Sequence, residues 1–312
     1  MFLAHRRGLL RATAVFITVL AASAVVAAQQ TFQFYISVAD AGGQPVTDIT
    51  EKDVVMSENG APNEIVKVEP YRMPVKLTIA VDNGPGSGDA LAHYRSGLTA
   101  MVKTLPTDME IALITTAPQP RFVVQMGSDR ERLYRGINGF APENESPRFT
   151  DTIVEFSKRQ EKELQDKKNV VDSIPILMLL STTTNEASSY EVPEVTKALR
   201  FLQQRRAKTY ISMVAQRSNV SDAAQINESR QAMIGIPLVK GTNGKYEALA
   251  ISNRLTTLLP EWGQDIAGIH ARNANQFRVT VNRKATGPLQ NPQVQVTREG
   301  LKGAVSVDGY LP

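Results

Sequence analysis

Apolar and polar positions alternate at the start of the chain and change to longer blocks after Pro74. Apolar residues occupy every second position from 32 to 38, which predicts a half-buried β-strand. The segments 54–57 and 65–68 flank Asn59-Gly60, a dipeptide typical of a tight hairpin turn. This first part of the chain is therefore predicted to be a small β unit.

Beyond Pro74, apolar runs of strand length recur, and most are followed by a stretch with helical periodicity. Strands separated by helices are typical of βαβ units, in which a mostly parallel sheet is covered on both faces. We therefore predict a doubly wound α/β fold. The predicted strands cover 75–81, 111–115, 121–125, 173–181, 210–214 and 236–239, and the predicted helices cover 89–105, 128–137, 150–168, 193–206 and 223–233.

The last part of the chain returns to β character after a helix over 255–269 that Pro260 is expected to kink or divide. Short strands are predicted at 277–281, 294–296 and 305–307. The two β regions are either unrelated appendages or one subdomain into which the α/β domain is inserted. We favour one subdomain, since chain termini often lie close together. The predicted units are 1–28, 29–72, 73–273 and 274–312.

The first 28 residues have the pattern of a secretory signal peptide. Positions 1–11 contain three arginines and no acidic residue, and an apolar stretch follows over 12–25. Val26-Ala27-Ala28 then provides small residues for cleavage by a signal peptidase. A retained membrane anchor is the alternative, but about 16 apolar residues fall short of the roughly 20 that span a bilayer. We expect cleavage near Ala28, a secreted or periplasmic protein, and no membrane insertion afterwards.

Charge and composition exclude several classes of function. The net charge of +4 falls to +1 without the first 28 residues, which argues against a nucleic-acid partner because such proteins concentrate positive charge. The chain has no cysteine, which excludes disulfides, cysteine nucleophiles, Cys-based zinc sites and iron–sulfur clusters. A protein partner is the expectation that remains.

Polar residues cluster where predicted strands end, which is the edge at which open α/β sheets bind ligands. Asp82 follows the strand over 75–81, and a run of hydroxyl residues follows the strand over 173–181. Carboxylate and hydroxyl oxygens are ligands for hard cations, but the same residue types are common in turns and helix caps. The candidate ligand face consists of Asp82, Asn83, Gly84, Gly86, Ser87, Thr116, Thr150, Ser181, Thr182 and Asn185.

Segments on both sides of the predicted α/β domain resemble a known family. GQPVTDITEKD at 43–53 resembles its opening segment G-x-P-V-x-x-L-x-x-x-D-F, and SENGAPNEI at 57–65 is similar to its E-D-G-x-P-Q-x-I hairpin. TREGL at 297–301 through DGY at 308–310 resembles its R-x-G-Y ending, with Asp308 in place of arginine. On these motifs the chain resembles von Willebrand factor A (VWA) domain proteins of the exported bacterial VWFA-related (acidobacterial) type.

The resemblance implies a metal-ion-dependent adhesion site with the pattern Asp-x-Ser-x-Ser, a loop threonine and a second aspartate. Asp82 matches the first aspartate and Thr150 the threonine, but Gly84 and Gly86 occupy the serine positions and Thr182 the second aspartate position. We therefore expect a degenerate site without a metal or other cofactor, in a non-catalytic, metal-independent protein-interaction module. The alternative is an adhesion module whose remodelled site, Asp82, Ser87 and Thr150, holds Mg²⁺ or another divalent cation.

A hydrolase is the second alternative. Ser87, Asp89 and His93 lie close in sequence and supply the residue types of a catalytic triad. However, Asp89 and His93 have the i,i+4 spacing of an ordinary surface pair on a helix, and the glycines around Ser87 do not follow G-x-S-x-G. We therefore expect no enzymatic activity.

Overall fold

In the computed structural model, the chain is described over residues 30–165, 173–184, 186–215 and 229–311. The strands are β1 (Gln30–Ala39), β2 (Val54–Glu58), β3 (Ala61–Pro62), β4 (Glu64–Tyr71), β5 (Val75–Val81), β6 (Glu110–Thr115), β7 (Arg121–Gly127), β8 (Ile174–Thr182), β9 (Lys208–Val214), β10 (Lys245–Leu249), β11 (Gln276–Arg283), β12 (Pro292–Val296) and β13 (Lys302–Ser306). The helices are α1 (Gly88–Val102), α2 (Arg130–Gly139), α3 (Phe149–Gln165), α4 (Val192–Gln204), α5 (Arg230–Gly241) and α6 (Leu255–Ala274).

The central sheet of the described chain has the strand order β10-β9-β8-β5-β6-β7. Its neighbouring strands are parallel except for the edge pair β6 and β7, which is antiparallel. β5, β8 and β9 are buried along almost their whole length because both faces of these strands are covered by helices. The predicted doubly wound α/β fold is confirmed.

Alternate side chains of the central strands build two cores. Leu77 and Ile79 of β5 pack in a cluster with residues of α1, α2 and α6. Leu177 and Leu179 of β8 point to the opposite face, where they pack with residues of α3, α4 and α5. The period-two alternation of a strand therefore determines which helices cover which face.

Strands from the two ends of the chain form a β-sandwich beside the α/β unit. One sheet has the order β13-β1-β11-β4 and the other β12-β2-β3. Phe34 pairs with Val279 across β1 and β11, and both side chains lie in the core between the sheets. The N- and C-terminal segments thus form the predicted small β-subdomain. Its boundaries at residues 72 and 274 stay predictions.

The structure corrects the predicted strand over 236–239. These residues lie inside α5, and the strand of this region is β10, which begins only at Lys245. A four-residue apolar run fits a buried helix as well as a strand. Here Leu238 and Val239 pack on the core beneath β9, and Asn243-Gly244 joins α5 to β10.

The hairpin expected around Asn59-Gly60 is also only partly present. Asn59 and Gly60 both have positive φ, as this turn requires, but β2 returns only onto the two-residue β3. β4, which contains residues 65–68, pairs with β11 in the other sheet. Pro260 lies within α6 and does not divide it.

Residues 1–28, which contain the predicted signal peptide, lie outside the described residues, and most of the helix predicted over 223–233 does too. Among the helices that the structure describes, none has the length and apolar character required to traverse a bilayer.

Candidate functional site

The order of the central strands brings the predicted site together. After β6 and β7 the chain crosses β5 and adds β8 on its other side, so the strand order reverses between β5 and β8. Asp82 follows β5 and Thr182 ends β8, and the Asp82 amide donates to the carbonyl oxygen of Leu180 over 2.8 Å. Thr116 joins them, because its amide donates to the carbonyl of Val81. This is the topological switch point, where open α/β sheets bind ligands.

Both carboxylate oxygens of Asp82 accept hydrogen bonds from neutral donors. Oδ1 accepts from the Gly84 amide at 2.8 Å, and Oδ2 accepts from the hydroxyl and the amide of Thr182 at 2.5 and 3.2 Å. The Asp82 side chain is buried, with 1% of the residue exposed. Burial raises the pKa of Asp82, and the three hydrogen bonds oppose that rise. Thr182, which occupies the position of the expected second aspartate, therefore forms hydrogen bonds directly to Asp82.

A covering loop, residues 141–147, lies against the position that the first serine of the family motif would occupy. A Cβ added to Gly84 would come within 2.9 Å of Pro147 Cδ and 3.0 Å of the Glu145 carbonyl oxygen. The side chain and carbonyl of Asn83 hold the loop, since they bond Ala141 and Glu143 over 2.8 and 2.7 Å. Glycine at position 84 is thus what allows this loop to pack on the strand end.

Ser87 is turned into the protein. Its hydroxyl donates to the carbonyl oxygen of Gly84 over 2.7 Å, within the 3₁₀ turn Pro85–Ser87 that precedes α1, and the residue has no exposed surface. Gly86, at the second serine position, lies at the edge of an adjoining cleft. The predicted residues Ser87 and Gly86 are therefore near Asp82 in the fold, but Ser87 presents no hydroxyl to solvent.

Thr150 and Thr116 keep buried hydroxyl oxygens that have no hydrogen-bond partner among the described residues. Thr150 begins the first turn of α3, and its amide donates to Glu186 Oε1 over 2.7 Å. Glu186 was not predicted as a site residue, although a carboxylate beside a helix N-terminus is a common favourable arrangement. Ser181 is buried, and its carbonyl accepts from the Tyr94 hydroxyl. The predicted site residue Asn185 lies outside the described residues.

Arg148 and Asp151 fix the segment after β8 onto the start of α3. Arg148 donates to the Ala187 carbonyl over 2.7 Å, and Asp151 Oδ1 accepts from the amides of Ser189 and Tyr190 at 2.9 and 3.0 Å. No sequence motif indicated these contacts, because their partners are more than 30 positions apart in the chain.

A cleft of about 360 Å³ opens beside Thr182 at the carboxyl ends of β8, β9 and β10. His93 lines it from α1, and Ile251 lines it from the chain after β10. Ser87 is not among its lining residues. Within the described part of the chain, no group of three or more His, Cys, Asp or Glu residues is placed to hold a metal ion.

No protein-family model matches the chain, and no curated protein matches it. Among solved structures it is similar to BatB, a conserved hypothetical protein from Bacteroides thetaiotaomicron, with 12% identity over 62% of this chain and 98% of that one and a TM-score of 0.46. A von Willebrand factor type A protein from Catenulispora acidiphila has 8% identity over 88% and 72% of the two chains and a TM-score of 0.46.

The manganese-loaded TRAP protein of Plasmodium vivax has 15% identity over 78% of this chain and 98% of that one, with a TM-score of 0.44. The doubly wound fold rests on the strand pairing described above. In its motifs and in the solved structures that it matches, the chain is thus similar to VWA domains.

Proposed function

We propose that this chain is an exported, non-catalytic module that binds another protein without a divalent cation. Its binding surface is the strand-end face, which we define as residues 82–87, 116, 150 and 181–182 together with the adjoining cleft. The observation that carries the proposal is the hydrogen bond from the Thr182 hydroxyl to Asp82 Oδ2. Asp82 Oδ2 thus already accepts a hydrogen bond from a neutral donor of the protein itself.

The side chains around Asp82 do not fit Mg²⁺. This ion requires near-octahedral oxygen coordination, usually with carboxylates and several waters. At this strand end Asp82 already accepts three hydrogen bonds, Ser87 donates inward, and the covering loop fills the space beside Gly84. Thr116 and Thr150 each keep a buried hydroxyl oxygen without a partner among the described residues. Two hydroxyl oxygens are far fewer ligands than a hard cation needs.

The proposal that the module is non-catalytic rests on Ser87. A serine nucleophile must reach substrate and pass its proton to a base. The Ser87 hydroxyl is buried and donates to a backbone carbonyl, whereas His93 lines the cleft. Export is supported by the basic, apolar and small-residue pattern of positions 1–28.

Calorimetric titration tests the metal-independent mode. The exported chain, residues 29–312, is stripped with chelator and titrated with Mg²⁺, Mn²⁺ and Ca²⁺. We expect no saturable heat and no ion-dependent change in melting temperature. Saturable binding that disappears in Asp82→Ala would instead establish the alternative adhesion site, in which Asp82, Ser87 and Thr150 rearrange around a cation.

Matched surface variants test the strand-end face. Ile251 lines the cleft and is 62% exposed, whereas Met233 on α5 is 63% exposed and does not line it. Envelope proteins of the host bacterium are captured on the immobilised chain in chelator and identified by mass spectrometry. We expect Ile251→Lys to abolish capture of the specific partner and Met233→Lys to retain it. Capture that needs Mg²⁺, or that both variants lose alike, contradicts the proposal.

A further inference from the structure

The two sheets of the β-sandwich do not cover each other completely. β12 and β13 are consecutive strands joined by residues 297–301, yet β12 pairs only with β2 and β13 only with β1 among the described residues. Their outer edges therefore have no strand partner there. Unpaired edges present rows of backbone donors and acceptors to an incoming chain.

Apolar side chains on the inner face of β13, and just beyond its end, are exposed to solvent. Val305 pairs with Ile36 of β1, so both side chains point to the same face of the sheet, the face that lines the core. Ile36 is completely buried, but Val305 is 45% exposed and Val307, two residues further on, is 67% exposed. The sheet of β12, β2 and β3 leaves both valines partly exposed.

An apolar groove of about 460 Å³ occupies this position. Phe32 and Phe34 of β1 and Met56 of β2 line it together with the two valines, and its other lining residues lie on or beside β12. At the closed end, a Cβ added to Gly303 would come within 3.0 Å of Val296 Cγ2, so the strands approach there and separate towards Val307. We call this wedge the sandwich groove.

We propose that the sandwich groove accepts an extended strand of a partner protein, which pairs with the free edge of β12 and completes the shorter sheet. Addition of a strand to an exposed edge is a general mode of peptide recognition, in which the backbone supplies affinity and alternate side chains supply specificity. The site is separate from the strand-end face, so this proposal does not depend on the proposed function.

The lining residues determine the chemistry of the strand. None of those that line the groove carries a charge, so a charged side chain directed inward would be buried without a partner. Inward positions must therefore be uncharged and apolar, and they recur at every second residue, as in any strand. β12 has five residues, which sets the length that can pair.

None of the strands that the structure describes is free to fill the groove. Every described strand of this chain is already paired, so a second copy would have to give up a native strand to fill the groove.

A synthetic peptide tests the proposal with the whole exported chain. The probe is a fluorescein-labelled, end-capped nonapeptide in which valine alternates with threonine, and its binding is followed by fluorescence anisotropy. One control peptide has the same composition with the valines placed together, and another has proline at the centre, which removes a backbone donor. Val307→Lys changes the groove, and Val66→Lys on β4 changes an exposed valine of the opposite edge strand.

We expect saturable binding of the alternating peptide, at least tenfold weaker in Val307→Lys and unchanged within twofold in Val66→Lys. Amide exchange in β12 should slow when the peptide binds. Val307 lies outside β13, so its replacement does not disturb a ladder, and equal melting temperatures of the two variants check this. Absence of binding, equal binding of the proline peptide, or equal loss in both variants overturns the proposal.

Discussion

At the scale of single residues, Thr182 and Gly84 stand where the family resemblance implies an aspartate and a serine. Thr182 provides a hydrogen-bond donor where a second acid would repel Asp82 unless a cation lay between them. Gly84 provides space for Pro147 and Glu145 where serine would hold a hydroxyl. Each change is small, and each replaces a potential metal contact by a contact within the protein.

Gly84→Ala should destabilise the protein by about 1–3 kcal/mol, because its Cβ would overlap the covering loop. The φ and ψ of Gly84, −73° and −177°, are accessible to alanine, so the effect is steric and not conformational. Urea unfolding measures it. Gly88→Ala is the control, since its Cβ would meet nothing within 4 Å and alanine favours the helix. Equal stability of the two variants would show that the loop moves freely.

At the scale of elements, a buried ion pair connects the two sheets of the sandwich. Arg283 at the end of β11 donates from Nε and Nη2 to the two oxygens of Glu58 at the end of β2, over 2.9 and 2.6 Å. Arg283 also binds the Gly287 carbonyl, and the Gln290 amide donates to Glu58. These hydrogen bonds lower the pKa of Glu58 and hold the connection from β11 to β12.

Arg283→Met should lower the urea midpoint several times more than Arg254→Met does. Both arginines bind a glutamate through two nitrogens, but the pair of Arg254 and Glu261 is exposed, whereas the Glu58 side chain is only 4% exposed. Removing one partner of a buried pair leaves the other charge without compensation, while exposed pairs contribute little. A similar shift in both variants would mean that solvent compensates Glu58.

At the scale of the whole molecule, the end of α6 is the joint between the sandwich and the α/β unit. Asn273 bonds the backbone of Leu311 in both directions, over 2.6 and 2.9 Å, and its carbonyl accepts from the Met73 amide. One turn earlier, His270 Nδ1 accepts from the Val75 amide at the start of β5. The last helix therefore connects the C-terminal residues to the start of the central sheet.

This joint should make stability depend on pH. Burial lowers the pKa of His270 below 6.5, and repulsion from Arg72 and Arg130 lowers it further. The attraction of Asp108, whose Oδ1 lies 3.3 Å from His270 Nε2, opposes this shift in pKa. The unfolded state then binds a proton more readily than the folded state. The contribution of His270 is complete above pH 6.5 and is lost as the pH falls below it.

Urea unfolding between pH 7.5 and 5 measures the effect. In the unmodified chain the free energy of unfolding should fall as the pH drops below 6.5, because the unfolded state binds up to one more proton, at His270, than the folded state does. In His270→Asn this difference in bound protons is lost, so the free energy of unfolding should fall less steeply. His93→Ala leaves His270 in place and should keep the original slope. If His270→Asn retains that slope too, carboxylates and not this histidine control acid stability.

Local pattern alone determined most elements. The alternation over 32–38, the buried run of β5 and the helical spacing in α1 are properties of a few consecutive turns or pleats, and they predicted the strands and the α/β class. The residue types at the strand ends likewise placed Asp82 and Thr182 at one edge, because parallel strands present their carboxyl ends together. These features need no knowledge of distant contacts.

Tertiary packing decided the rest. Residues 236–239 are helical because they pack beneath β9, and β4 joins β11 because that pairing packs Ile65 and Val68 against the core of the sandwich. The bond from Thr182 to Asp82 joins residues 100 positions apart, and the covering loop reaches Gly84 from more than 60 positions away. Such contacts depend on where strands lie in a sheet, which no local sequence pattern encodes. The sequence by itself therefore predicted that Asp82 and Thr182 lie at the same edge of the sheet. Only the tertiary structure determined that these two residues bond to each other.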